Sequence, residues 1–182
     1  DPFYEIRWQD GSRFRVRRDE KDMLAEVTHN FPQDLKGYLK FLDDCEKRYV
    51  FGFEGLGRKP MNKLWDLVKE LPGFVRLRAD RSVYAHVSAR VKDPKFRMAL
   101  SFHPLFIGGD PRNVTSMYIL VSHLEKAFGV HYVKGGVQAL ADAMANVVKE
   151  QGGQVLLNSN VARISVNNHK SDGVILENGL KL

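Results

Sequence analysis

The hydrophobic period of this chain changes once, near Gly129, and that change constrains the fold more than any other feature. Before it, apolar residues return every three or four positions. Leu35, Tyr38, Leu39, Leu42, Cys45 and Tyr49 form one such stripe, and Val114, Met117, Tyr118, Val121, Leu124 and Phe128 form another. That spacing gathers side chains on one face of a helix. After Gly152-Gly153 come QVLLN, VARISV and GVIL, short runs that suit strands, with Asn178-Gly179 as a two-residue hairpin turn. The pattern predicts an α+β chain, with a mostly helical module over residues 1–129 and a helix followed by a small β-meander over residues 130–182.

Finer punctuation divides the first module. Residues 4–16 alternate apolar and polar around Asp10-Gly11, which predicts a hairpin, and residues 19–31 and 34–53 show helical spacing. Residues 55–60 are a turn-rich break. The helical pattern through Leu64, Leu67, Val68 and Leu71 that follows is expected to stop at Pro72-Gly73. Asp93-Pro94 separates two helices between residues 83 and 100, with Asp93 as the cap and Pro94 in the first helical position. Asp110-Pro111 is expected to open the helix that carries the second stripe, and Gly135-Gly136 leads into a helix with Leu140, Met144, Val147 and Val148 on one face.

Composition narrows the class of protein. The chain has 28 Lys plus Arg against 22 Asp plus Glu, a net charge of +6, which admits an anionic membrane surface or a nucleic acid as partner. Neither clustered aromatics nor a recognised motif accompanies Arg13, Arg15, Arg17 and Arg18, so nucleic acid is set aside. One cysteine, Cys45, provides neither an intrachain disulfide nor a zinc site, and no metal centre is expected. The longest runs free of Asp, Glu, Lys and Arg are 12 residues, such as 98–109 and 113–124, shorter than the ~20 apolar residues that cross a bilayer. The nearest approach to a phosphate-binding glycine turn, Gly55 to Pro60, has proline at the third glycine position and reads as a loop.

Several segments resemble one enzyme family. They are DPFYEIRWQDG at the start, RADRSVYAHVSARVKDPKFRMALSFHPLFIGGDP in the middle, GGQVLLNSNVARISV after the glycine pair, and the closing VILENG. Together they are similar to the bacterial-type phytoene desaturases, flavoenzymes that introduce double bonds into carotenoid precursors. The resemblance implies that residues 1–129 bind the substrate and face a membrane, while residues 130–182 belong to a discontinuous, Rossmann-like FAD-binding domain. It implies FAD as cofactor and a long apolar polyene as substrate. Asp66 falls where the family carries an acidic residue proposed for acid/base work, and Lys69 where a basic partner often sits; a plain ion pair at i, i+3 is the other reading. Val161 corresponds to the strand start whose main chain meets the flavin's adenine. Phe102, His103, Phe106 and Tyr118 are the expected substrate-lining residues. One departure lies before Gly135, where an aromatic pair and often a proline are usual and this chain has His131, Tyr132, Val133 and Lys134.

A family member also needs the turn G-x-G-x-x-G, whose backbone N–H groups hold the flavin pyrophosphate, and this sequence has none. It is therefore expected to be an internal piece of a longer protein, inactive alone. A polyene of about 40 carbons, at ~0.8 kcal/mol per buried CH2, should pass directly from bilayer to protein, which favours a cytoplasmic protein docked on the membrane. Residues 96–107, with Phe96, Met98, Leu100, Phe102, Leu105, Phe106 and Ile107 beside Arg90, Lys92 and Lys95, are the expected lip. Two rivals stand beside this reading: another flavoprotein of amine-oxidase-like architecture, and a non-enzymatic basic module that binds membranes. Nothing in the sequence specifies an oligomeric state.

Overall fold

The computed structural model describes residues 2–182, and these divide into two compact units that meet in sequence between Val130 and His131. The first unit begins with a hairpin. Strands β1 (Pro2–Arg7) and β2 (Arg13–Arg17) pair antiparallel across a turn in which the Trp8 N–H donates to the Ser12 carbonyl and the Trp8 carbonyl accepts from Gly11, with Gly11 in the left-handed region at φ 82°. Ile6 lies opposite Phe14 and Tyr4 opposite Val16, so one face of the ribbon is apolar. Glu5 and Arg15 oppose each other on the other face, where the Glu5 carboxylate accepts from Arg7 and Arg15.

Phe14 reaches the centre of the unit. Its ring meets Phe31 and Phe96 edge-on, and Phe31 stacks on Phe96 with centroids 4.5 Å apart. Phe31 closes α1 (Glu20–Asn30), which Asp19 caps by accepting the Asp22 N–H. Tyr38, Phe41, Cys45 and Arg48 are the buried residues of α2 (Leu35–Arg48), three or four positions apart. The expected stripe is thus rotated: Leu39 is exposed, and an arginine takes the fourth inward place. A π-helical turn, Tyr49–Gly55, and a short 3-10 turn, Leu56–Arg58, follow.

Two expectations for the first unit need correction. Helix α3 (Leu64–Arg76) does not stop at Pro72-Gly73 but runs through both residues. Pro72 removes only one backbone donor. Gly73, where a Cβ would sit 2.2 Å from the Phe51 ring, lets Phe74 meet Phe51 edge-on. Nor does a helix begin at Asp110-Pro111. The Asp110 carboxylate accepts from Arg112 N and Asn113 Nδ2 and holds a turn, so the stripe is divided between a 3-10 turn, Ser116–Ile119, and α6 (Leu120–Phe128).

The helices flanking Asp93-Pro94 are α4 (Val83–Ser88) and α5 (Pro94–Ser101), with the Asp93 carboxylate capping Lys95 N and Phe96 N. Their connection is held by a second aspartate: Asp34, 2% exposed, accepts the N–H groups of Lys92 and Asp93 at 2.7 and 2.8 Å. Close by in sequence, Gly37 of α2 lets the Arg90 carbonyl approach to where a Cβ would be 1.9 Å away.

In the second unit, α7 (Gly136–Glu150) follows Gly135 at its N-cap, which has φ 83°, and gives way to a turn at Gln151 and Gly152. The QVLLN run forms turns and open chain rather than a strand, and its Val155, Leu156 and Leu157 pair with no strand and remain exposed. Strands β3 (Val161–Asn167) and β4 (Lys170–Leu176) pair antiparallel through Asn168 and His169, both at positive φ. The Asn178-Gly179 turn then returns the chain so that Leu182 and Val174 exchange backbone bonds. Leu176 is the one buried residue of this unit.

The Gly37 contact sets a clear expectation. Gly37→Ala forces the Arg90 carbonyl to retreat and lowers stability by about 1–3 kcal/mol, read as a lower urea midpoint; an unchanged midpoint would show that the close approach is not maintained.

Candidate functional site

Two polar clusters are built into the first unit, and each draws residues from elements far apart in sequence. The first centres on Glu125 of α6, whose Oε2 accepts from Tyr4 Oη at 2.9 Å and His103 Nε2 at 3.0 Å. Tyr4 comes from β1 and His103 follows α5, so one carboxylate fastens three elements. Burial first, and then the charge and hydrogen bond of Glu125, push the Tyr4 hydroxyl well above its usual range, so it stays a donor. His103 is 4% exposed, and its Nδ1 is buried without a partner. A cavity of about 50 Å³ lies against these groups, lined by Phe14, Met23, Tyr38 and Leu100 among others. That volume suits water and no larger ligand.

The second cluster is centred on Arg48, which is 2% exposed. Its guanidinium donates to the carbonyls of Asp44 and Leu77 and lies 3.3 Å from His86 Nδ1 and 3.4 Å from Ser116 Oγ. Among the described residues no carboxylate touches it. The Asp44 side chain is turned instead to His86 Nε2 at 2.9 Å and Arg90 Nε at 2.6 Å. With Arg48 donating to Nδ1, the His86 proton sits on Nε2 and points at Asp44, an assignment that rests on the bonding pattern. Burial works against the charge of Asp44, yet the bonds from His86 and Arg90 outweigh it and hold its carboxyl well below the usual carboxylate range. Burial also lowers the Arg48 pKa, and it raises that of the enclosed Cys45 thiol, which is inert for that reason. Beside this cluster opens a cleft of about 840 Å³.

The residues singled out from the sequence are distributed differently. Phe102, His103 and Phe106 do come together: Phe102 stacks on His103 with centroids 4.5 Å apart and meets Phe106 edge-on at 5.4 Å. Phe106 is 64% exposed, and Tyr118 packs against the buried core. The expected lip is divided, with Phe96 and Leu100 buried and Met98, Leu105, Phe106 and Ile107 exposed. Asp66 lies in the first turn of α3, where its carboxylate accepts the Lys63 N–H at 3.2 Å. Among the described residues it forms no ion pair with the exposed Lys69. No residue of α3 is buried, and its Leu64, Trp65, Leu71 and Val75 form an open apolar surface.

Within the second unit, Val161 begins β3, which pairs with β4 on one edge only. That free edge fits a main-chain contact to a flavin. The start of α7 fits a pyrophosphate poorly, because it lacks the three-glycine turn. These residues therefore fit one contact to a flavin and do not form a complete flavin site. Among the described residues no group of acidic, histidine or cysteine side chains is arranged for a metal, and no helix is long and apolar enough to cross a membrane.

Sequence reasoning passed over Arg48, Asp44, His86, Tyr4 and Glu125, and took Arg90 for part of the charged border of the lip rather than a partner of Asp44. One signal was present: Arg48 continues the spacing Phe41, Cys45 and sits four residues after Asp44. For the others only the fold brings the partners together.

A family model described as flavin containing amine oxidoreductase matches residues 1–181. The phytoene desaturase (neurosporene-forming) of Cereibacter sphaeroides is 62% identical over 179 residues, 98% of this chain and 35% of that protein. The enzyme of the same description from Rhodobacter capsulatus is 56% identical over 183 residues, 100% of this chain and 35% of that protein. The phytoene desaturase (lycopene-forming) of a Paracoccus species is 37% identical over 181 residues, 100% of this chain and 36% of that protein. The chain thus spans about a third of the length of these curated relatives.

The bonds to Asp44 imply a pH dependence. Folding lowers its pKa, so its stabilisation is present above about pH 4 and is lost as pH falls toward the folded value. Denaturant midpoints of the parent chain should fall more steeply between pH 5 and pH 3 than those of Asp44→Asn. Parallel pH profiles would exclude Asp44 as a source of acid sensitivity.

Proposed function

Because the chain belongs to the flavin containing amine oxidoreductase family, we propose that it is the central segment of a FAD-dependent enzyme that desaturates phytoene or a related carotenoid precursor. The observation that carries this reading is the 62% identity over 98% of the chain to a phytoene desaturase. The first unit is the substrate-binding module, and the second contributes a helix and hairpin to a discontinuous FAD-binding domain of Rossmann type. The rest of that domain, with the glycine turn for the pyrophosphate, lies in another part of the polypeptide. Val161 contributes its main chain at the adenine.

Desaturation removes a hydride from one allylic carbon and a proton from its neighbour; bound flavin supplies the hydride acceptor. The residues of this chain supply alignment, exclusion of water and a place for the proton. Asp66 takes that proton, and Lys69, three residues on and not paired with it in the structure, is its basic partner during turnover. The open apolar surface of α3 around Asp66 suits a polyene, which offers no polar group to bind. Phe102, His103, Phe106 and Tyr118 line the path of the chain, with Phe106 at its exposed end. The enzyme is cytoplasmic and rests on the membrane surface without crossing it, with Leu105, Phe106 and Ile107 at the contact.

The test uses the complete protein, loaded with FAD and supplied with phytoene in liposomes, with products read from their visible spectra after chromatography. Conversion to more conjugated carotenoids is expected; no conversion, with turnover of an amine instead, would replace this reading by that of an amine oxidase. Asp66→Asn keeps an oxygen to accept the Lys63 N–H, so the fold survives while turnover falls roughly 10²- to 10⁴-fold. Unchanged turnover would remove Asp66 from the chemistry. The 182 residues alone should not bind FAD tightly, and quenching of flavin fluorescence at micromolar chain would contradict the division of the cofactor site.

A further inference from the structure

The cleft beside Arg48 has no part in the proposed desaturation. We propose that it binds a phosphate ester carrying a short apolar group. At about 840 Å³ it lies within the range of small-molecule sites, roughly 300–1,000 Å³. It is bounded by the end of α2, the turns over residues 49–58, the C-terminal end of α3, and α4, all within the first unit.

Charge bookkeeping identifies the missing partner. Of the cations on its walls, Lys47 is paired with Asp43 at 2.5 Å, Lys59 with Glu70 at 2.8 Å, Arg78 with Asp80 at 3.0 Å and Arg90 with Asp44 at 2.6 Å. Arg48 and Arg76 remain without a carboxylate among the described residues, and the exposed Glu46 is the lining acid outside these pairs. Arg76 is exposed, so water can answer its charge. Arg48 is not: two carbonyls, a hydroxyl and an imidazole meet its donors, the Asp44 carboxylate acts on its charge without touching it, and its Nε has no acceptor. Buried cations are ordinarily answered by an anion.

The shape of the site selects among anions. A planar carboxylate occupies one guanidinium fork, whereas a tetrahedral phosphate can turn one oxygen to the Arg48 N–H that lacks an acceptor, at Nε, and others to the fork of Arg76. Arg48 and Arg76 come from different elements, which suits the second case. Bare phosphate would fill little of the volume. Val50, Phe51, Leu56 and Leu77 give the remainder an apolar wall, so the ligand is an ester with a short apolar group, whether the head group of a lipid or a soluble metabolite.

Calorimetric titration of the 182-residue chain with inorganic phosphate, glycerol 3-phosphate and butyl phosphate tests the assignment. Butyl phosphate should bind more tightly than inorganic phosphate. Arg76→Glu, at an exposed position, should leave the circular dichroism unchanged and weaken butyl phosphate roughly tenfold or more, the loss of a charge-assisted hydrogen bond. Retention on phosphatidylglycerol vesicles but not phosphatidylcholine vesicles, abolished by Arg76→Glu, would assign the site to a lipid head group. Butyl phosphate binding without such retention would assign it to a soluble ester. The proposal is overturned by any of three results: no binding of a phosphate probe at millimolar concentration, equal affinity for butyl and inorganic phosphate, or an affinity indifferent to Arg76→Glu. None of these bears on turnover of phytoene, so this proposal and the desaturase reading fail separately.

Discussion

A guanidinium enclosed in the first unit must find acceptors for its donors, and much of the surrounding structure meets that demand. Arg48 lies on the inward stripe of α2, so the chain cannot turn it to solvent without also exposing Phe41 and Cys45. Its donors fix the Leu77 carbonyl just beyond α3 and bring in Ser116 and His86. Ser116 in turn donates to the Arg78 carbonyl, where the backbone is held at φ 53°. Removing one member of such a network leaves the others buried and unpaired, which costs more than the lost bond itself. The end of α3, the start of α4 and the turn before α6 are therefore positioned by one side chain.

Asp34 performs a similar service at the other end of α2. By accepting two backbone N–H groups it ties the α1–α2 connection to the α4–α5 connection, and it does so beside the ring cluster of Phe14, Phe31 and Phe96. The rings supply apolar burial, and the carboxylate satisfies donors that burial would otherwise strand. Outside this framework α3 contributes no buried residue, and the second unit buries only Leu176. The apolar surfaces of both are open in the described residues.

Where sequence reading succeeded, the information was local. The Asp10-Gly11 turn, the Asp93 cap, and the glycine ends of α6 and α7 each depend on a few neighbouring residues and on backbone angles those residues favour. It failed where distant contacts outweighed local preference. Pro72 and Gly73 suggest a break, but Phe51 packs against the glycine and the helix continues. QVLLN has strand composition, but in the fold it pairs with no strand and its apolar side chains stay exposed. Of the candidate site, Phe102, His103 and Phe106 were legible as one cluster because they are adjacent in sequence. The partners Tyr4 and Glu125 were not, being 121 residues apart.

The sequence by itself determined the α+β order, the change of grammar near Gly129, most helix ends and the family to which the chain belongs. These follow from hydrophobic period, from capping and turn chemistry, and from residue order, all of which survive without coordinates. Only the tertiary structure decided that an arginine would sit inside, that Asp44 would serve His86 and Arg90 rather than Arg48, and that a charged cleft would open beside them. Those outcomes depend on which donors and acceptors meet once helices pack. A charge reads as solvent-facing in a sequence until the fold takes its water away.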